Sequence, residues 1–221
     1  MSEVSENLKN VLSKLPSSVK LVAVSKTRTP EEIMGLYNSG QKVFGESKAQ
    51  ELVPKYEELP KDIKWHMVGH LQRNKVKYIA PFVEMIQSVD SLRLLKVIDK
   101  EGEKNDRVIK CLLQMHIAEE ESKFGMSEDE LCQTLESDDF KKMKNVSING
   151  LMGMATFTED EEQVRKEFKM LKSVFDGIKE KYFQSDDNFS EISIGMTNDY
   201  EIAIEEGSTM VRIGTALFGD R

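Results

Sequence analysis

Two hydrophobic patterns alternate along the chain: short unbroken apolar runs, and stripes of apolar residues spaced three and four apart. The runs are typical of strands that are buried on both faces of a parallel sheet, whereas the stripes are typical of helices that bury one face. The first stripe predicts a helix over residues 4–15 that stops at Pro16, and the run 21–24 predicts the strand that follows it. The same alternation continues to the end of the chain.

Eight apolar runs predict strands, and each is followed by a helical or loop segment. The predicted strands lie at 19–26, 43–44, 64–70, 85–89, 109–116, 148–155, 191–195 and 210–214. Capping boxes predict helix starts at Thr29 with Glu32, Ser127 with Glu130 and Thr158 with Glu161, and Asn198 with Glu201 predicts a further start. Eight such units predict an α/β protein, a single (β/α)8 TIM barrel with an extra N-terminal helix, as one domain over residues 1–221.

Composition and charge narrow the class of function. The net charge of -8 argues against nucleic-acid binding, because a phosphate backbone is bound by a basic surface. No apolar run approaches a membrane span, and the polar, acidic start MSEVSENLKN does not resemble a signal peptide. Two cysteines, Cys111 and Cys132, make no disulfide framework, which fits a reducing cytoplasm, and we expect Cys111 to be a buried small hydrophobe.

The candidate chemistry lies at the carboxyl ends of the predicted strands, which form the working face of such barrels. Lys26 follows the first buried strand. Desolvation at that rim would favour the neutral amine, which is a nucleophile towards carbonyl carbons. Taken alone, the pattern is more typical of a lysine that extends to solvent from a strand end.

Glycines and small hydroxyls gather at the last two strands, where barrels of this kind often bind phosphate. Glycine lets the backbone approach a ligand, amides at a helix start carry partial positive charge, and hydroxyls add donors. The residues that could contribute are Ser193, Gly195, Thr197, Gly214 and Thr215. With an amine across the barrel mouth, they suggest a ligand that has an aldehyde and a phosphate, and pyridoxal 5'-phosphate is such a ligand.

Seven segments, in order along the chain, resemble the YggS/PROSC family of pyridoxal phosphate homeostasis proteins, which is related in fold to the N-terminal barrel of alanine racemase. The segments are LVAVSKT (21–27), FGES with the following QEL (44–52), IKWHMVGHLQRNK (63–75), KFGM (123–126), GLMGMA (150–155), SIGMTND (193–199) and GSTMVRIGTALFG (207–219). The family usually has asparagine and tyrosine where this chain has Ser47 and Lys48, so a contact from Ser47 to the cofactor ring is not implied.

The resemblance implies a role for each candidate residue. Lys26 would be the Schiff-base lysine, Arg212 would face the pyridine nitrogen, and the phosphate would be held by Ser193, Thr197, Gly214 and Thr215. An arginine only donates hydrogen bonds, so it disfavours protonation of the ring and leaves a poorer electron sink. In alanine racemase a tyrosine from a further β-domain of a partner subunit completes the site. We expect no counterpart of that tyrosine here, and therefore a monomer with little turnover.

Three functions stay open at this point. The first is a carrier in the cytoplasm that holds pyridoxal phosphate on Lys26, buffers it and could pass it to apo pyridoxal-phosphate enzymes. The second is an amino-acid racemase with an open site, and the third is a lysine aldolase that acts on phosphorylated sugars without a cofactor. No metal site is expected, because His66 and His70 lie four apart on a strand without a cysteine cluster, although either could line the barrel mouth. Lys123 could receive or hand on the cofactor.

Overall fold

The computed structural model describes residues 3–120 and 124–219, so the predicted role of Lys123 lies outside the described residues. Eight parallel strands form a closed barrel in sequence order. They are β1 Lys20–Val24, β2 Val43–Glu46, β3 Lys64–Met67, β4 Met85–Val89, β5 Ile109–Gln114, β6 Val146–Met152, β7 Glu191–Ser193 and β8 Met210–Ile213. The predicted (β/α)8 barrel is confirmed.

Helices surround the barrel and follow the strands. They are α1 Glu3–Lys14, α2 Pro30–Asn38, α3 Ala49–Glu58, α4 Val76–Ile79, α5 Leu92–Lys104, α6 Glu128–Glu136, α7 Asp138–Lys142, α8 Glu161–Tyr182, α9 Tyr200–Glu205 and α10 Thr215–Phe218, with a 3-10 turn at Arg73–Lys75 before α4. The N-terminal helix α1 is the predicted extra element. Over the residues that the structure describes, none of these helices is both long enough and apolar enough to cross a bilayer.

The strands are buried on both faces, which explains their unbroken apolar runs. Val22 belongs to a small apolar cluster inside the barrel, whereas Leu21 and Ala23 pack in the larger core between the strands and the helices. The barrel closes where β1 pairs with β8, with Lys20 opposite Met210 and Ala23 opposite Ile213. This closure brings the residues after β1 next to those after β8 at one rim.

Two of the three predicted capping boxes are confirmed, at Thr29 with Glu32 and at Ser127 with Glu130. The third, Thr158 with Glu161, is wrong. Helix α8 begins at Glu161, and the carboxylate of Asp160 accepts the amide hydrogens of Glu162 and Gln163 at 3.0 and 3.2 Å. A carboxylate is a strong cap because it also neutralises the positive helix end.

Candidate functional site

A cavity of about 930 Å³ opens at the carboxyl end of the barrel. Segments that follow β1, β2, β3, β6, β7 and β8 contribute to its wall. Five of the six predicted site residues line it: Lys26, Thr197, Arg212, Gly214 and Thr215. The structure therefore brings together residues that are up to 189 positions apart in the chain because they all follow, or end, parallel strands.

Lys26 lies two residues beyond the end of β1, in a turn, and is exposed. The expected desolvation of its amine by the core is therefore not found, and the amine is open to the cavity and to solvent. The turn itself is tightly held. The Thr27 amide donates to Oε2 of Glu51 at 2.8 Å, and Ser25 on the other side of Lys26 is fully buried.

Arg212 forms part of the cavity lining from β8 and is only 4% exposed. Its Nη1 donates to the carbonyl oxygen and to Oγ of Ser193, each at 2.7 Å, and its Nη2 donates to the carbonyl oxygen of Gly153 at 2.9 Å. Burial lowers the pKa of Arg212 to about 10, and the carboxylate of Asp199 opposes this shift. The guanidinium thus remains a cation at neutral pH, with a fixed orientation.

Ser193 continues this network into the barrel. Its Oγ donates to Oε1 of Gln87 at 2.7 Å, and Nε2 of Gln87 lies 2.8 Å from Nδ1 of His66. Burial lowers the pKa of His66 to about 4, so the imidazole is neutral at pH 7 and its Nδ1 accepts from Gln87. Ser193 is fully buried beneath Arg212 and, unlike the five other predicted residues, does not line the cavity.

Close backbone packing shapes the wall after β7 and β8. A Cβ on Gly214 would lie 3.2 Å from the carbonyl oxygen of Val24, and one on Gly195, whose φ is +94°, would lie 2.6 Å from Cβ of Ala203. Helix α10 begins at Thr215, where the first amide hydrogens of a helix have no partner within it. Thr197 is half-buried and Thr215 exposed, so both hydroxyls are within reach of a ligand in the cavity.

Charge is distributed unevenly around the cavity. The cations Lys26, Arg28 and Arg212 lie on or just after β1 and β8, whereas Glu159 and Glu161 come from the segment after β6 and Asp199 from the segment after β7. Arg28 is held in place by Glu32, at 3.1 Å, and by the backbone near the end of the described chain. An anionic group is therefore better accommodated on the β1 and β8 side.

The histidines His66 and His70 lie apart from each other. His66 is buried inside the barrel, and His70 is exposed after β3, where Nδ1 lies 3.0 Å from Oδ2 of Asp90 and the ring stacks on Phe124 at a centroid distance of 3.9 Å. Within residues 3–120 and 124–219, no three His, Cys, Asp or Glu side chains group as metal ligands.

The sequence patterns did not single out Gln87 as part of the site. Its one indication in the sequence is that a polar residue stands inside the apolar strand MIQSV.

Comparisons with known proteins agree on one family. The family model described as "Alanine racemase, N-terminal domain" matches residues 1–221. A protein of Aquifex aeolicus named "Pyridoxal phosphate homeostasis protein" is 40% identical over 203 residues, which cover 91% of this chain and 87% of that protein. One of the same name from Synechocystis is 37% identical, covering 96% and 95% of the two chains. The solved structure of PipY from Synechococcus elongatus with PLP bound is 32% identical, with a TM-score of 0.89 over 98% of this chain and 100% of PipY.

Proposed function

This chain belongs to the alanine racemase N-terminal domain family and, within it, to the pyridoxal phosphate homeostasis proteins, and from that membership we propose that it binds pyridoxal 5'-phosphate and takes part in vitamin B6 homeostasis. The cofactor is held as a Schiff base on Lys26. The protein keeps the reactive aldehyde scarce and releases it to apo enzymes that need it. The chain acts as one cofactor-binding domain.

One observation carries the proposal: a primary amine, a buried guanidinium and a cradle of glycines and threonines line the same cavity. Each matches a different part of the cofactor. The amine of Lys26 suits the aldehyde, the guanidinium of Arg212 suits the ring nitrogen, and Thr197, Gly214 and Thr215 suit the phosphate. We assign Ser193 to the support of Arg212, because both of its hydrogen bonds are made inside the barrel.

When bound, the cofactor supplies an aldehyde carbon that accepts an amine. Condensation with Lys26 forms a C=N bond and releases one water, and the reverse reaction needs only that water, so no oxidant or reductant is required. The exposure of Lys26 favours this exchange, because water and incoming amines reach the site. A carrier needs such reversibility, whereas an enzyme gains from excluding water.

We also propose that the protein is located in the cytoplasm and is a monomer. Cys111 and Cys132 are free thiols, which fits a reducing cytoplasm. We infer a monomer, and a site that works without residues from a second subunit. Light scattering of the purified full chain at several concentrations measures the oligomeric state directly.

The experiment that tests the proposal is borohydride reduction after incubation with pyridoxal 5'-phosphate, followed by peptide mass mapping. We expect one pyridoxyl group, on Lys26, and its loss in Lys26→Ala. The matched control is Lys48→Ala, an exposed lysine close in the chain, which should label Lys26 as the wild type does. Label spread over surface lysines, or none, contradicts the proposal.

Two assays separate the carrier from the enzymes. Chiral analysis after incubation with amino acids should show no rapid racemisation, and racemisation abolished by Lys26→Ala would favour a racemase instead. Turnover of sugar phosphates by a colourless, cofactor-free protein would favour an aldolase.

A further inference from the structure

The turn that carries Lys26 is held from outside, by residues of β2 and α3. The carbonyl oxygen of Ser25 accepts from Nζ of Lys55 at 2.8 Å, and the Thr27 amide donates to Oε2 of Glu51 at 2.8 Å. Lys26 stands between these two anchored residues. Its backbone is therefore fixed on both sides by side chains from another part of the barrel.

One of these contacts supports an unusual backbone conformation. Thr27 has a φ of +65°, in the left-handed region that β-branched residues rarely adopt. The bond from its amide to Glu51 compensates for that conformation. Without it, the turn would be free to relax, and the direction in which Lys26 projects would change.

The other contact comes from a buried ion pair. Nζ of Lys55 lies 2.7 Å from Oε1 of Glu46, and the two side chains are 9% and 0% exposed. The same Oε1 accepts from Oγ of Ser25 at 2.6 Å, so the pair bonds to both the hydroxyl and the carbonyl oxygen of that residue. Within the part of the chain that the structure describes, Oε2 of Glu46 is buried without a hydrogen-bond partner.

Stability alone does not explain this pair. Burial raises the pKa of Glu46, while Lys55 and Ser25 oppose that shift, which is the sign of a charge that the fold accommodates at a cost. An apolar pair of similar volume often serves stability equally well or better. What an apolar pair cannot provide is the hydrogen bonds that hold Ser25.

We propose that Lys55, Glu46 and Glu51 are positioning residues, which fix the place and direction of the Lys26 amine at the cavity. Lys55 and Glu46 anchor the residue before Lys26, and Glu51 anchors the residue after it. The arrangement also gives Lys26 and Lys55 different roles. Lys55 is buried and engaged with Ser25 and Glu46, so Lys26 alone of the two is open to an aldehyde.

This inference rests on the proposed function, in which Lys26 is the reacting amine, but part of its test does not. Hydrogen exchange followed by mass spectrometry on the cofactor-free protein reports how firmly residues 25–28 are held. We expect Lys55→Met and Glu51→Ala to speed exchange at the Thr27 amide by about tenfold, since its local opening is then easier. The control Lys48→Met, which removes an exposed cation of α3's start, should change nothing. Unchanged exchange in Glu51→Ala overturns the proposal.

The second measurement is the rate at which Lys26 is trapped by pyridoxal 5'-phosphate and borohydride. Lys55→Met should slow trapping by about tenfold, because a displaced amine reaches the reactive geometry less often. Lys55→Arg, which keeps a charged donor, should recover part of that rate. Lys48→Met should react as the wild type does.

A double variant distinguishes positioning from stability. In Glu46→Leu/Lys55→Met an apolar pair replaces the ion pair, and we expect the urea midpoint to return towards the wild-type value while trapping stays slow. Recovery of the rate together with stability overturns the proposal. If Lys55→Met does not fold, Glu51→Ala decides, because the Glu51 side chain is 27% exposed and lies outside the core. If Lys26 of the wild type is never labelled, the proposed function fails, and hydrogen exchange still decides whether the turn is held as described.

Discussion

Ser193 supports Arg212 from inside the barrel: Nη1 of the arginine lies 2.7 Å from both the carbonyl oxygen and Oγ of the serine. The serine passes the interaction on to Gln87, so the cation at the cavity is the outermost member of a buried polar network. A buried polar group that loses its hydrogen-bond partner destabilises the fold. The contribution of each member of the network can therefore be measured by removing one partner.

Removing the Ser193 hydroxyl should destabilise the fold. Ser193→Ala leaves Oε1 of Gln87 without its donor and takes one acceptor from Arg212, which should lower the free energy of unfolding by about 1–3 kcal/mol. Urea denaturation followed by circular dichroism measures the change. Ser190→Ala, which removes an exposed hydroxyl just before β7, serves as the control and should be near neutral. Equal effects of the two substitutions would mean that the network contributes no stability.

His66 should make the fold sensitive to acid. Because its pKa falls from 6.5 to about 4 in the folded state, the unfolded chain binds the extra proton between these values and stability falls with decreasing pH. Full stability is present above pH 6.5, and about 3 kcal/mol should be lost by pH 4. Urea denaturation across this pH range should show that loss in the wild type and a smaller slope in His66→Asn. Parallel slopes in the two proteins would contradict the assignment.

Two glycines should respond in opposite directions to alanine. Gly195 has a positive φ and its Cβ would meet Ala203, so Gly195→Ala should cost more than about 1 kcal/mol. Gly177 lies inside α8 with open space around the Cβ position, so Gly177→Ala should stabilise the protein by up to about 1 kcal/mol. Thermal and urea unfolding of both variants measure this contrast. A stabilised Gly195→Ala would show that the turn after β7 does not require glycine.

Thr215 should distinguish a phosphorylated ligand from its dephosphorylated form. Thr215→Val removes one hydroxyl donor, worth about 1 kcal/mol or roughly a fivefold loss of affinity for pyridoxal 5'-phosphate. Pyridoxal has no phosphate, so its weaker binding should not change. Titration of the wild type and the variant with both compounds, followed by visible absorbance, measures the difference. An equal loss for both compounds would place the threonine near the ring or the aldehyde instead.

Much of the architecture follows from patterns that are local in the chain. Burial on both faces produces unbroken apolar runs such as 21–24, and the strands of the structure lie at the runs that predicted them. The sequence also predicts that Lys26 and Thr215 lie at the same end of the barrel, because every strand of a closed parallel barrel ends at the same rim. The helix start at Asp160 did not follow, since Thr158 and Asp160 are both good caps and only the path of the chain selects between them.

The sequence by itself determined the barrel, its working face and the residues that could meet there, because strand burial and strand direction are encoded in local hydrophobic order. Only the tertiary structure decided which neighbours each side chain meets. Whether Ser193 lines the cavity or bonds to Arg212, and whether Lys55 is a surface charge or bonds to Ser25, depends on strand register and helix rotation. These are settled by contacts between residues 19 and 30 positions apart, which no local pattern specifies.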